Sequence, residues 1–285
     1  MSASTQPHPA RPTNSDYEQS ASFTRALQAA DGAFAWEVGG PADLGATSTA
    51  LRVFSECQVP VPRRDAVLDS IEACFDETTS GFALAPGGPV SLHAIAEGHV
   101  ALATLGLTGD RWTRDLVKLV NGLVSTPIDA FIASAVLDTV GLSSPDTPRW
   151  ASLVLAARNA EGTWGEEADL VAQTALFSSA LLKLGFTVPD VKGIGQLLLD
   201  AQTASGGWGD GTRGQATLAV TYRVTRVLQA LSLTPDTDTA NTFIRSCRQP
   251  DGAYAGSPAG EQANLINTYF ALTSDRWLNV SPTNE

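Results

Sequence analysis

Apolar positions recur every three or four residues in a series of segments along the chain, and most of these segments stop at a glycine or a proline. That period predicts helices with one buried face. Six segments are rich in Ala, Ser, Thr and Gly: 44–55, 91–105, 130–140, 170–184, 216–231 and 265–273. None has an interior proline, and stop signals follow most of them, as in Val59-Pro60, Gly106-Leu-Thr-Gly109, Gly141-Leu-Ser-Ser-Pro145, Gly185-Phe-Thr-Val-Pro189 and Leu233-Thr-Pro235. A bulkier apolar helix precedes the small-residue one, as at 194–201 and 243–247.

The two kinds of helix alternate as a repeat. Asn159-Ala-Glu-Gly-Thr-Trp164, Gln202-Thr-Ala-Ser-Gly-Gly-Trp208 and Gln249-Pro-Asp-Gly-Ala-Tyr254 align, with Gly162, Gly207 and Gly252 separated by 45 residues each. Gln28-Ala-Ala-Asp-Gly-Ala-Phe34 is a fourth copy centred on Gly32, and Thr79-Ser-Gly-Phe82 a fifth centred on Gly81. The unit around 116–127 lacks the glycine and the aromatic but keeps the length. About six helical hairpins follow from this periodicity. A hairpin cannot bury both faces alone, so the units must stack as a solenoid or close on themselves. The small side chains of the second helices favour closure, with those helices inside around a cavity open at one end and the bulkier helices outside.

The expected organisation is a tail over 1–21, one all-α domain over 22–278 and a second tail over 279–285. The 285 residues are 43% hydrophobic, ample for one large core. A net charge of −12 argues against nucleic acid and against anionic membrane as partners. The three cysteines, Cys57, Cys74 and Cys247, are far apart and odd in number, which reads as core thiols and neither a disulfide framework nor a zinc site. No apolar leader and no run long enough to span a membrane is present, so a cytoplasmic location is expected. The oligomeric state is left open.

Gln202-x-x-x-Gly-Gly-Trp208 resembles the QW motif of squalene-hopene cyclases and other class II terpene cyclases. Arg248-Gln-Pro-Asp-Gly-Ala-Tyr254, with Gly256-Ser-Pro and Asn264-Leu-Ile-Asn-Thr-Tyr-Phe-Ala-Leu272, resembles the terminal repeat of protein prenyltransferase β subunits. The chain is thereby identified as resembling the prenyltransferase/squalene-cyclase repeat superfamily over about residues 22–278. The resemblance implies a single α/α barrel. In the turn, Gln suits the unpaired groups of a neighbouring helix end and the aromatic packs across it, so both read as scaffold.

The motifs that carry chemistry in such families are missing. No DxDD is found; its nearest positional match is Asp43-Leu-Gly-Ala-Thr47, with Leu170-Val-Ala-Gln-Thr-Ala175 in the same slot of another repeat. Asp236-Thr-Asp-Thr-Ala240 falls before an outer helix, where Asp238 or Thr239 is expected to cap it. The Asp-x-Cys and His zinc ligands of protein prenyltransferases are absent, as is DDxxD, so no metal site is expected. No cofactor is expected either, except that a diphosphate substrate would bring Mg2+ with it.

The remaining polar residues cluster near the starts of the inner helices: Asp43, His93, Asp129, Asp169, Gln173, Gln215 and Asn267. Asp43, His93 and Asp129 come from successive repeats, and a His between two carboxylates would suit acid–base catalysis. Glu97 lies one helical turn beyond His93 and would join them. The alternative reading makes Asp43, Asp129 and Asp169 helix caps and His93 and His99 structural. Substrate contacts are expected from Glu97, Gln173, Tyr222, Asn267, Trp36, Phe131 and Phe177. Phe82, Tyr269 and Phe270 are further aromatics near the inner helices, and two or three of the whole aromatic set would face the cavity.

These features suggest a terpene cyclase-like enzyme, a cyclase, isomerase or lyase of the class II type without DxDD, acting on an isoprenoid or other apolar substrate. The alternatives are a non-catalytic barrel that binds an apolar ligand or serves as a partner subunit, and a carbohydrate-active α/α barrel.

Overall fold

The computed structural model describes residues 14–107, 109–259 and 262–279. Six helical hairpins close into a ring. The inner helices are α2 (Leu44–Glu56), α4 (Leu92–Thr104), α7 (Pro127–Val140), α9 (Leu170–Lys183), α11 (Leu218–Ala230) and α13 (Leu265–Asn279). Each packs against the next, and α13 packs against α2, which closes the circle. The outer partners are α1 (Asn14–Ala26), α3 (Arg64–Glu72), α6 (Leu116–Leu123), α8 (Thr147–Ala156), α10 (Val191–Asp200) and α12 (Thr237–Ser246), with a single turn, α5 (Asp110–Thr113), leading into α6. Two short antiparallel ribbons lie in the loops, β1 (Phe34–Ala35) with β2 (Ala42–Asp43) and β3 (Phe75–Asp76) with β4 (Gly81–Phe82), and isolated bridges such as Trp208 with Thr217 hold other turns.

Two boundaries differ from the sequence reading. Helix α1 begins at Asn14, inside the segment expected to be tail, and buries Ser20, Ala21 and Thr24. Helix α13 runs beyond Thr273 to Asn279, bringing Arg276 and Trp277 onto an inner helix. Neither residue carries a helix-breaking signal, so the earlier stop had no physical basis beyond the length of the other copies.

The turns explain why the repeat needs glycine. In four of them one glycine takes a left-handed backbone: Gly32, Gly162, Gly206 and Gly252, with φ of 99°, 84°, 98° and 87°. In the fifth hairpin the left-handed residue is therefore Gly206, and the 45-residue alignment on Gly207 is one position out. In the second hairpin Ser80, with φ 56°, takes this place, and Gly81 does not. At Gly206 a Cβ would also lie 2.0 Å from the Thr239 carbonyl oxygen on α12, so the next outer helix presses on this backbone. The third hairpin needs no such device. Residues 124–126 alone join α6 to α7, and no loop remains to be pinned.

Two positions after each left-handed residue an aromatic is buried: Phe34, Phe82, Trp164, Trp208 and Tyr254 are at most 3% exposed. Trp164 and Trp208 donate their indole N–H to the carbonyls of Val154 and Leu198 in the preceding outer helices, both at 2.7 Å. A threonine in the inner helix receives the aromatic's own backbone N–H. The pairs are Phe34 with Thr47, Trp164 with Thr174, Trp208 with Thr221 and Tyr254 with Thr268, at 3.0–3.2 Å. These threonines are nearly inaccessible, so they satisfy an amide that burial would otherwise orphan. Gln202 also has the role expected of it. Its amide donates to the carbonyls of Gly206 and Asp236, and its oxygen accepts the Asp236 N–H at the start of α12.

The last turn closes the outer ring. Arg248 pairs with Asp16 at 3.0 Å and donates to the Gln19 side chain, and the Ser20 hydroxyl donates to the Gly252 carbonyl. Helix α1 is thus held by the sixth hairpin, 232 residues further along the chain.

Candidate functional site

The inner helices start at one end of the ring, and the residues expected to form an acid cluster lie there. Asp43 is the N-cap of α2. One carboxylate oxygen accepts the Ala46 N–H at 2.7 Å and the other accepts the Trp36 indole at 2.9 Å. Asp129 lies in a capping box on α7, where one oxygen accepts the N–H groups of Ser125 and Thr126. Burial pushes its acidity down, but the hydrogen bonds from Thr126 and Ser125 outweigh this and hold its pKa below the usual carboxylate value. Asp169 stands at the N-cap of α9 and accepts the Glu166 N–H. His93 is exposed in the first turn of α4. No hydrogen bond or ion pair described for Asp43, His93 or Asp129 links one to another. Before α12 the cap is Asp236, which accepts the Thr239 N–H, and not Asp238 or Thr239.

Gln173 and Asn267 are half-buried in the first turns of α9 and α13, and Asn267 gives its N–H to the Asn264 side chain. Gln215 is exposed ahead of α11. Phe177 packs on Trp164 with ring centres 6.3 Å apart, and Phe131, on α7, packs partly buried against the core. Phe82 is sealed beneath Phe75, Trp112 and His99. His99 is 2% exposed, meets the Phe82 ring edge-on and has no hydrogen-bond partner at Nε2. Its desolvation lowers its pKa to about 4. Burial pushes the thiols of Cys57, Cys74 and Cys247 up to about 12, 11 and 12, as core thiols should be.

The residues that do converge lie deeper, on four consecutive inner helices. Arg52 on α2 reaches Glu97 on α4, Nη2 to Oε2 at 3.2 Å, and its guanidinium lies 4.5 Å from the ring centre of Tyr269 on α13. The same nitrogen donates to Thr49 one turn back on α2. The Tyr269 hydroxyl is 3.4 Å from that of Tyr222 on α11. Tyr222 in turn stacks on Phe270 and Trp277, at 4.7 and 5.2 Å between centres. Desolvation lowers the Arg52 pKa, but Glu97 reverses the effect and leaves it raised. Desolvation, then Tyr269, raise the Tyr222 hydroxyl pKa. The Arg52 and Glu97 side chains are 22% and 17% exposed.

Glu97 therefore leaves His93 for Arg52, although His93 is its neighbour in helical spacing. Arg52 was missed by sequence reasoning. The available signal was a lone cation in a small-residue helix, on the face shared with Thr49 and Glu56. Glu56 lies one turn further, paired with Arg276 at 2.7 Å and accepting from Thr273. Among the described residues, no three His, Cys, Asp or Glu side chains group as a metal site. Among them also, no helix is long and apolar enough to cross a membrane.

The sequence matches the prenyltransferase alpha-alpha toroid domain over residues 47–130 and 130–283, and the chain belongs to that family. No curated protein sequence matches it. Among solved structures, protein geranylgeranyltransferase-I of Candida albicans, complexed with GGPP, is similar with a TM-score of 0.71 at 12% identity. The match covers 95% of this chain and 92% of that one. The type II terpene cyclase MstE from Scytonema gives 0.62 at 12% identity, over 94% and 98% of the two chains. A protein from Actinoplanes gives 0.63 at 16% identity, over 93% and 99%. At such identities the likeness establishes the toroid fold, which hosts more than one chemistry.

Proposed function

We propose that this toroid is a terpene cyclase-like enzyme that takes an isoprenoid or similarly apolar substrate into its ring and acts on it by acid–base chemistry. The observation that supports this reading is the inner wall, where a charged pair, Arg52 and Glu97, stands beside the stacked surface of Tyr222, Tyr269, Phe270 and Trp277. Such a wall gives an apolar chain a face to lie on and a few fixed polar groups to react with. Glu97 supplies a carboxylate fixed in direction by Arg52, and the two tyrosines supply hydroxyl protons. Asp43 is the second acid in the scheme, at the entrance. Neighbours of the same fold are named with ligands of this class, GGPP and geranylgeranyl dihydroxybenzoate.

The test is incubation with geranyl, farnesyl and geranylgeranyl diphosphates and their alcohols, with and without Mg2+, and product analysis by mass spectrometry. Turnover abolished by Glu97→Gln and retained by Asp43→Asn supports the deep site. The reverse pattern moves the chemistry to the entrance. Absence of turnover with tight ligand retention favours a second reading, a non-catalytic isoprenoid-binding barrel. That reading has its own observation: Asp43 and Asp129 are already engaged at helix starts, and Glu97 is already paired.

A further inference from the structure

The ring is chemically two-sided. On one side, α11, α13, α2 and α4 carry Tyr222, Arg226, Tyr269, Arg276, Arg52 and Glu97. On the other side stand α7 and α9, whose stretches 130–137 and 170–182 carry no charged side chain. In a six-membered ring closed in the order seen, α9 faces α2 and α7 faces α13.

The charges on the polar side do not cancel. Glu97 answers Arg52, and Glu56 answers Arg276. Arg226 remains. It lies four residues after Tyr222, hence on the same face of α11 one turn further along. Its charge and that of Arg52 both act on the Tyr222 hydroxyl. None of the ion pairs among the described residues includes Arg226. Arg223, the next cation on α11, is turned about 100° away from Tyr222 around the helix. The hydroxyls of Tyr222 and Tyr269 are 3.4 Å apart, with the neutralised Arg52 over the Tyr269 ring and Arg226, in no described ion pair, one helical turn from Tyr222. The phenol O–H that the Tyr222–Tyr269 bond leaves free, together with one uncompensated cation, forms a receptor for an oxyanion, and its net charge suits a single negative charge.

We propose that the ligand of this ring is a singly charged amphiphile, an apolar chain ending in a carboxylate, whose head group is held by Arg226 with Tyr222 and Tyr269 while its body lies against α7 and α9. The proposal rests on the interior wall being the substrate site, and it names the head group that the wall selects. A diphosphate would place several negative charges where one is balanced, beside Glu97.

Calorimetric titration of the full chain with farnesoic acid, farnesol, farnesyl diphosphate with and without Mg2+, and dodecanoic acid tests it. Farnesoic acid is expected to bind about 10-fold more tightly than farnesol, the effect of one charge-assisted hydrogen bond, and the diphosphate no more tightly than the acid. Arg226→Gln should abolish the preference for the acid, bringing acid and alcohol to the same affinity, and Arg226→Lys should keep it. Equal binding of acid and alcohol, tighter binding of the diphosphate, or a preference that survives Arg226→Gln would each overturn the proposal, as would the binding of no acid at all. If Arg226→Gln does not unfold cooperatively, the head-group series on the unaltered chain and on Arg226→Lys decides. Dodecanoate bound in an Arg226-dependent way without farnesoic acid would sink the isoprenoid reading and leave this inference standing. Farnesoic acid bound but not turned over would sink only the enzyme.

Discussion

Replacing His99 with Leu should remove a pH-dependent fraction of the stability of the second hairpin. In the folded chain the imidazole is 2% exposed against the Phe82 ring, and burial lowers its pKa from 6.5 to about 4. Above pH 6.5 the group is neutral whether the chain is folded or not, so it contributes no pH dependence. As pH falls below 6.5 the unfolded chain takes up a proton that the folded chain refuses, and stability drops until pH reaches about 4. By linkage, at pH 5 this cost is about 2 kcal/mol, and over the whole window about 3 kcal/mol. The assay is urea unfolding followed by circular dichroism at pH 7.5 and pH 5, for both proteins. Carboxylates titrate in both alike, so the quantity of interest is the difference between the two drops. A drop in the unaltered chain about 2 kcal/mol larger than in His99→Leu is expected. Parallel drops would refute the reasoning, because they would mean that His99 finds a proton acceptor or water in the folded protein.

Three further outcomes follow from the turns. Gly206→Ala combines a φ of 98° with a Cβ 2.0 Å from a backbone oxygen, and should lower stability by more than about 2 kcal/mol in thermal unfolding, against no loss for Gly122→Ala, which lies in α6 with open space around it. Thr221→Val orphans the buried Trp208 amide and should cost about 1–3 kcal/mol in urea unfolding, while Thr221→Ser should restore most of it. Arg248→Ala loosens the seam between the last turn and α1, and should raise hydrogen exchange across 14–26 well before it changes exchange in α9.

The hairpin repeat was legible because glycine and a large aromatic each have one physical task in the turn, and neither is easily replaced. The register was less so. Gly206 and Gly207 are adjacent, both fit the spacing, and only the backbone conformation separates them. Ser80 escaped notice because a serine at positive φ leaves no compositional mark. The recurring threonines at 47, 174, 221 and 268 were visible as letters, but their role depends on an amide ten or more residues away. The polar interior was half legible. Glu97 and Tyr222 were read from helix faces. The partner of Glu97 was misjudged, since helical spacing offers His93 while the packing of α2 on α4 offers Arg52. Asp43 and Asp129 show the opposite difficulty: a carboxylate at a helix start looks the same in sequence whether it caps or catalyses.

A ring whose first helix is clasped by its last turn has a consequence for synthesis. While the chain emerges, α1 can pack on α2 but has no Gly252 to dock on, so its second partner arrives only with the last hairpin. Its sequence suits that delay, because the residues it buries fully are Ser20, Ala21 and Thr24, with Tyr17 and Phe23 only partly covered. The circle is therefore expected to complete itself only once the sixth hairpin has formed, with α1 docking on its turn as the closing step.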